Sequence, residues 1–198
     1  MTLDQFRPHV AGVFRPFIAV SIKIGLTPNI LSVASFIVAG FAGIAFFAGS
    51  IVLGVVMVAL NAFLDALDGA LARAMQAQSM RGDFLDHAID RYADIFIITG
   101  IFAGGIAPWQ FGVLALTGVL MSSYLGTQAQ AVGVGRYYGG ILGRADRLVL
   151  ILIAGVLDIV IPGGVFGFRY LAWLLLILGA AGHFTALQRF IYVWRAVK

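Results

Sequence analysis

The chain has 198 residues, of which 61% are hydrophobic and 11% are charged, and its mean hydropathy is +1.00. A soluble domain of this size does not need so much apolar surface, so the composition predicts an integral membrane protein that crosses the bilayer several times. The lack of cysteine excludes disulfides, thiolate catalysis and iron–sulfur ligation, and the net charge of +4 indicates contact with anionic lipid rather than with nucleic acid.

The N-terminal segment has the pattern of an amphipathic helix. Between residues 3 and 22, apolar side chains recur at alternating spacings of three and four, at Leu3, Phe6, Val10, Val13 and Phe17. Arg7 and Arg15 lie off this stripe, and Pro8 and Pro16 are expected to break or bend the helix. We therefore predict that residues 1–24 form an interfacial helix on the membrane surface, with a soluble capping helix as the alternative.

Six apolar runs follow, and each is long enough to cross the hydrocarbon core, which needs roughly 20 helical residues. We place these spans near residues 29–48, 51–72, 84–105, 110–132, 147–162 and 169–192. Neither a sequence repeat nor a linker divides the chain, so we expect a single domain over residues 1–198. The predicted fold class is an all-α integral membrane protein, with six transmembrane helices preceded by an interfacial amphipathic helix.

The positions of the basic residues predict the orientation. Twelve of the 13 Lys and Arg residues fall on the side of the membrane that carries the N-terminus, and only Arg169 falls in the opposite loops. Because cytoplasmic loops are enriched in Lys and Arg, we expect both termini to be cytoplasmic in a multi-pass protein of the cell membrane.

Acidic side chains are concentrated where the second and third predicted spans meet. All nine acidic residues are Asp, and six of them lie between residues 65 and 94. Asp65 and Asp68 share one helical face, and Asp86 and Asp90 share a face of the next helix. Carboxylates gathered near lipid repel one another and are costly to desolvate unless cations lie between them. Oxygen-only ligation favours a pair of hard divalent ions such as Mg²⁺.

The same stretch resembles the signature of the CDP-alcohol phosphotransferase family. The spacing Asp65-x2-Asp68-Gly69-x2-Ala72-Arg73-x8-Gly82-x3-Asp86-x3-Asp90 fits that signature at all eight specified positions. The chain is also similar to the family in its general plan of an interfacial helix and six spans. Members of this family transfer a phosphatidyl-type group from a CDP-linked donor to an alcohol and release CMP.

The resemblance implies roles for individual residues. Four aspartates would bind two Mg²⁺ ions, with Mn²⁺ as the alternative, and Asp90 would also take the proton of the acceptor hydroxyl; the four are Asp65, Asp68, Asp86 and Asp90. Seven residues would contact the CDP-lipid: Asn29, Ser32, Gly69, Ala72, Arg73, Ser79 and Gly82. The alternatives from the residues alone are that Asn29 and Ser32 only cap the first span and that Arg73 only anchors a helix at the interface.

Three arginines near a glycine-rich stretch are candidates to bind the acceptor alcohol. Arg136, Arg144 and Arg147 lie in or beside a glycine-rich cytoplasmic stretch and are candidates to bind a phosphorylated polyol such as inositol phosphate or glycerol phosphate; ordinary positive-inside decoration is the alternative. The layout here looks like the subgroup that makes phosphatidylinositol phosphate, or its archaeal ether-lipid counterpart. Gly126 and Gln128 stand where that subgroup usually has basic residues, so a non-phosphorylated acceptor such as serine stays open.

The resemblance also implies a donor of either CDP-diacylglycerol or CDP-archaeol, and a homodimer. An ion or solute transporter is the alternative from another functional class, because buried carboxylates often mark ion pathways. A transporter is expected to carry ionisable groups at mid-membrane in two related halves. Here the acids cluster at one face without a second half, which favours the enzyme.

Overall fold

The computed structural model of the protein describes residues 7–137, 139–141 and 143–197. These residues form seven α-helices, and the only strand-like feature among them is an isolated backbone bridge between Val165 and Phe168. In chain order the helices are α1 (Arg7–Lys23), α2 (Pro28–Phe47), α3 (Ile51–Ala74), α4 (Met80–Ala103), α5 (Trp109–Ala131), α6 (Arg144–Val160) and α7 (Tyr170–Ala196). The all-α prediction is confirmed.

Three of the described helices are long and apolar enough to cross a membrane by length and composition: α2, α3 and α7. Helix α6 is shorter, at 17 residues, and the first half of α4 carries charged residues on every turn. The apolar helices agree with a membrane protein. Helix α5 has 23 residues without a charge, but it includes Ser, Thr and Gln side chains. The full set of six spans therefore stays a prediction.

Helix α1 packs along α3 through aromatic rings. The ring of Phe63 lies 5.6 Å from that of Phe14 and 5.0 Å from that of Phe17. The helix continues through Pro16, so the prediction that this proline breaks the helix is wrong, although a bend is compatible with a continuous helix. Residues 1–6, with Leu3 and Phe6 of the predicted stripe, lie outside the described residues, and the interfacial position of α1 stays a prediction.

The start of α2 shows which residue is the cap. Thr27 is the N-cap, and its hydroxyl oxygen accepts a hydrogen bond from the backbone N–H of Ile30. Pro28 occupies the first helical turn, where its fixed φ and missing N–H are favourable. Asn29 and Ser32 therefore do not cap this helix, and that alternative is wrong.

Glycines allow the helices to approach at backbone distance. A Cβ built on Gly100 of α4 would collide with the carbonyl oxygen of Gly43 in α2 and would lie 2.7 Å from its Cα. On the other side of the molecule, a Cβ on Gly118 of α5 would lie 2.7 Å from the carbonyl oxygen of Gly179 in α7. These glycines therefore serve internal packing: the Gly43–Gly100 contact joins α2 to α4, and the Gly118–Gly179 contact joins α5 to α7.

The turn between α3 and α4 brings the two acidic helices side by side. Gln76 has a left-handed backbone with φ 52°, which reverses the chain within a few residues. Ser79 then caps α4, and its hydroxyl oxygen accepts a hydrogen bond from the N–H of Gly82 at 3.1 Å. The helix consequently begins at Met80 rather than near residue 84 as predicted, because the cap recruits the polar residues before the apolar run.

Candidate metal and nucleotide site

Three carboxylates from α3 and α4 converge at this end of the bundle. Asp65, Asp68 and Asp86 each offer one carboxylate oxygen, and these oxygens all lie within 4.8 Å of one another. Three carboxylates this close repel one another when they are ionised, and a cation between them would relieve that repulsion. A set of carboxylate oxygens alone is the ligand chemistry of hard divalent ions, so the residues present fit Mg²⁺ or Mn²⁺.

Asp68 is the most buried of the three and is held in place by α2. Its side chain accepts a hydrogen bond from the Ser32 hydroxyl at 2.6 Å, and Asp68 is only 6% exposed. One turn deeper, the Asn61 amide donates to the hydroxyl and carbonyl oxygens of Ser35 at 2.8 and 2.9 Å. These bonds between α2 and α3 orient the carboxylate, as a neighbouring hydrogen bond does for many metal ligands.

Asp90 lies beside this group but is joined to it through an arginine. Nη1 of Arg144 is 2.5 Å from Oδ1 of Asp65 and 2.7 Å from Oδ1 of Asp90. The other oxygen of Asp90 lies 3.7 Å from Nη2 of Arg91. Among the described residues, the structure thus places three signature aspartates in one possible ligand sphere and the fourth across Arg144.

A pocket of about 220 Å³ opens next to the carboxylates. It contains all seven residues predicted to contact the CDP-lipid, which are Asn29, Ser32, Gly69, Ala72, Arg73, Ser79 and Gly82. The remaining lining residues are Pro28, Asp68, Ala77, Gln78, Asp83 and Asp86. Four of these were not predicted as site residues: Pro28, Ala77, Gln78 and Asp83. The sequence predicted the polar turn that carries Gln78, but it did not predict that this turn lines the pocket.

The three arginines predicted for the acceptor have different partners. Arg136 forms a two-pronged ion pair with the exposed Asp83 at the pocket edge, at 3.3 and 3.0 Å, and this hydrogen bonding lowers the pKa of Asp83. Arg147 is buried and donates to the buried Asp94 at 2.7 Å. Arg144 bridges Asp65 and Asp90. They do not form one group whose guanidinium ends are all available to a single anion.

The sequence pattern of the CDP-alcohol phosphatidyltransferase family matches residues 25–185. The chain belongs to this family. Its members are transferases of lipid metabolism, so the enzyme interpretation is confirmed over the transporter, and the recognition of the signature was right.

Individual CDP-alcohol phosphatidyltransferases cover almost the whole chain. The archaetidylinositol phosphate synthase of Methanothermobacter thermautotrophicus is 36% identical, over 99% of this chain and 96% of that protein. The phosphatidylinositol phosphate synthase of Cutibacterium acnes is 32% identical, over 99% of each. The crystal structure of phosphatidylinositol phosphate synthase from Mycobacterium tuberculosis with manganese and citrate is 25% identical, with a TM-score of 0.77 over 91% of this chain and 88% of that one.

One basic residue near the predicted acceptor region was missed as a candidate in this CDP-alcohol phosphatidyltransferase. Arg189 of α7 is buried and donates to the carbonyl oxygens of Gly139 at 2.8 Å and Ser122 at 2.5 Å. A Cβ on Gly126 would collide with its Nη1, so the guanidinium of Arg189 fills the space that a side chain at residue 126 would take. The sequence shows glycine at residue 126, where the resembling subgroup usually has a basic residue. The fold shows that Arg189 of α7 places a positive charge at the same position.

Proposed function

We propose that this CDP-alcohol phosphatidyltransferase moves a phosphatidyl- or archaetidyl-type group from a CDP-linked lipid to a phosphorylated polyol and releases CMP. The observation that carries this proposal is the direct adjacency of the pocket and the carboxylates, because Asp68 and Asp86 belong to both. A ligand with a nucleoside joined to a pyrophosphate would place its polar head in the pocket and its phosphates beside the acids.

In the proposed reaction, the acceptor hydroxyl oxygen bonds to the phosphorus that carries the lipid. The bond from that phosphorus to the bridging oxygen breaks, and CMP leaves with the bridging oxygen. We assign the proton of the hydroxyl to Asp90, which lies outside the pocket lining and next to the cluster. A carboxylate this close to cations is a weak base, so holding the hydroxyl in line is an equal part of its role.

Two divalent ions are proposed to be held by Asp65, Asp68, Asp86 and Asp90, and when bound they would neutralise charge on the pyrophosphate. Mg²⁺ is the expected ion and Mn²⁺ the alternative. The oxygen-only donor set supports the binding of a divalent ion here, and so does the similar structure that was solved with manganese. The Ser32 hydroxyl would keep Asp68 in the ligand orientation.

The nucleotide is proposed to lie between the start of α2 and the α3–α4 turn. A Cβ on Gly82 would sit 3.3 Å from the Ser79 hydroxyl and 3.4 Å from Oδ1 of Asn29, so the lack of a side chain at residue 82 leaves both polar groups open to the ligand. Gly69 and Ala72 have small or no side chains, so the ligand can approach the backbone of α3 closely where they line the pocket. Arg73 would donate its planar pair of N–H groups to phosphate oxygens.

For the acceptor, the positive charge around α6 and α7 supports a phosphorylated polyol. Arg144 of α6 contacts Asp65 and Asp90 at the site. Arg147 of α6 and Arg189 of α7 are further buried basic residues of these helices, and Arg136 pairs with Asp83 at the pocket edge. The relatives named archaetidylinositol phosphate and phosphatidylinositol phosphate synthases make inositol phosphate the first acceptor to test. Glycerol phosphate comes next, and serine is the alternative without a phosphate. CDP-archaeol and CDP-diacylglycerol are both proposed donors.

The test is a panel measurement of CMP release by the purified protein. Each donor is combined with Mg²⁺ and with inositol phosphate, glycerol phosphate or serine in turn. We expect release with inositol phosphate to exceed release with serine by at least about tenfold, because a desolvated phosphate–arginine contact is worth more than 1.4 kcal/mol. Equal rates with serine would reject the phosphorylated acceptor, and no release with any acceptor would reject the proposed reaction.

We further propose the predicted topology: one domain with six spans, the site and both termini on the cytoplasmic side of the cell membrane, and a homodimer. The cluster and most basic residues lie at the same end of the described helices, which supports this orientation. The dimer is proposed from the family resemblance alone.

Because the chain has no cysteine, single cysteines can report the topology without background. Met80→Cys, on the α3–α4 turn side, should be labelled by an impermeant maleimide only after cells are opened. Gly163→Cys, between α6 and α7, should be labelled in intact cells; its Cβ would meet no atom within 4 Å. Met80 is 92% exposed, so access does not limit labelling. Labelling of both sites from outside would reject the proposed topology.

A further inference from the structure

Arg144 occupies an unusual position for a residue expected to bind the acceptor. Its Nη1 lies between Asp65, a member of the carboxylate group, and Asp90, the proposed proton acceptor. The two carboxylates come from α3 and α4, whereas Arg144 is the first residue of α6. A single nitrogen thus joins the ligand group to the fourth signature aspartate.

The rest of the Arg144 guanidinium is poorly satisfied. Nε and Nη2 are buried and make no hydrogen bond within the part of the chain that the structure describes. The neighbouring carboxylate oxygen, Oδ1 of Asp90, has ion-pair distance to Arg144 but no well-directed hydrogen bond. Buried donors without acceptors are unfavourable. This arrangement therefore has donors to offer to an anionic ligand.

We propose that Arg144 and a divalent cation compete for Asp65 and Asp90. When the cation binds these carboxylates, the released guanidinium of Arg144 binds the anionic group of the acceptor. The inference rests on the metal binding proposed above and deepens it. Both cations seek the same carboxylates, and their charges repel one another at short range. Metal binding and acceptor binding are thereby coupled, because both ligands favour the position in which Arg144 is released from Asp65 and Asp90.

The first test measures Mn²⁺ binding to the purified protein without donor or acceptor, from the electron paramagnetic resonance signal of free Mn²⁺. In Arg144→Gln, the dissociation constant should fall about tenfold relative to the wild type, since a charge-assisted ion pair no longer has to be broken. Arg144→Lys should fall between the two, because a lysine keeps the charge but lacks the planar fork.

The matched control is Arg81→Gln, which removes the same charge from an exposed residue on α4. Its dissociation constant for Mn²⁺ should stay within about twofold of the wild type, since exposed charges are strongly screened. Equal tightening in Arg81→Gln and Arg144→Gln would overturn the inference, because general electrostatics would explain both. Unchanged binding in Arg144→Gln would also overturn it while leaving the metal site intact.

A second measurement uses the unaltered chain and does not depend on the folding of a variant. Phenylglyoxal modification of Arg144, followed by mass spectrometry, should increase several-fold when Mn²⁺ is added, with Arg147 as the internal reference. Unchanged modification of Arg144 in the presence of saturating Mn²⁺ would overturn the exchange. If neither the wild type nor Arg144→Gln binds Mn²⁺, the proposed metal site fails and the inference falls with it.

Discussion

Asp90→Asn is expected to lower kcat for CMP release by roughly 10²- to 10⁴-fold, the range that a positioned general base contributes. Asparagine keeps the size of the side chain but cannot accept the proton of the acceptor hydroxyl. Asp90 is also a proposed metal ligand, so the assay uses saturating Mg²⁺. Because Asp90 does not line the nucleotide pocket, the KM for the CDP-lipid should then change little. The measurement is steady-state CMP release over a range of donor concentrations.

Two controls separate chemistry from structure in this experiment. His87→Gln changes a residue on the neighbouring turn of α4 that contacts Asp83 rather than the carboxylate group, and its kcat should stay close to that of the wild type. CMP binding by Asp90→Asn, measured calorimetrically, should also be retained. A variant that keeps the wild-type kcat would contradict the role given to Asp90, and a loss that appears only in KM would assign it to binding instead.

Gly100→Ala is expected to destabilise the protein, because Gly100 contacts the backbone of another helix directly. The added methyl group would be driven into the backbone of Gly43, where nothing flexible can move aside. Overpacking of this kind costs about 1–3 kcal/mol, which exceeds the gain of up to about 1 kcal/mol from replacing glycine by alanine in a helix. Thermal unfolding in detergent should show a midpoint lowered by roughly 5 °C.

Gly40→Ala is the matched control on the same α2–α4 contact. A Cβ at residue 40 would meet only the ring of Phe96, at 3.9 Å and 4.0 Å, which is ordinary van der Waals contact. Its midpoint should equal or slightly exceed that of the wild type, because the helix-forming tendency of alanine then acts without a clash. If both variants melt together, backbone contact between α2 and α4 is not what holds this part of the bundle.

The local features of this protein were readable in its sequence. Apolar periodicity and length located the helices to within a few residues, and the spacing of the aspartates predicted that three of them lie close together, as they do. Seven predicted nucleotide contacts line one pocket because they lie on the start of α2 and on two helices joined by a short turn, so few arrangements could keep them apart.

The long-range pairings could not be predicted from the sequence. Arg144 and Asp65 are 79 residues apart, and no periodicity relates α6 to α3. The position of Arg189 could not be predicted either. Its guanidinium, from α7, fills the space next to Gly126 of α5 that a side chain at residue 126 would occupy. Burial of Asp94 against Arg147 was equally hidden, since a lone aspartate beside the signature gives no sign of which helix supplies its partner.

The central claim is that Asp65, Asp68 and Asp86 hold a divalent cation on which the transfer depends. The most direct measurement is CMP release from chelator-treated protein titrated with Mg²⁺ or Mn²⁺, in the wild type, Asp86→Asn and the His87→Gln control. We predict no release without metal, and a half-saturating metal concentration raised at least about tenfold in Asp86→Asn but unchanged in His87→Gln. Release at an undiminished rate in chelator, or restoration of Asp86→Asn at the wild-type metal concentration, would contradict the account.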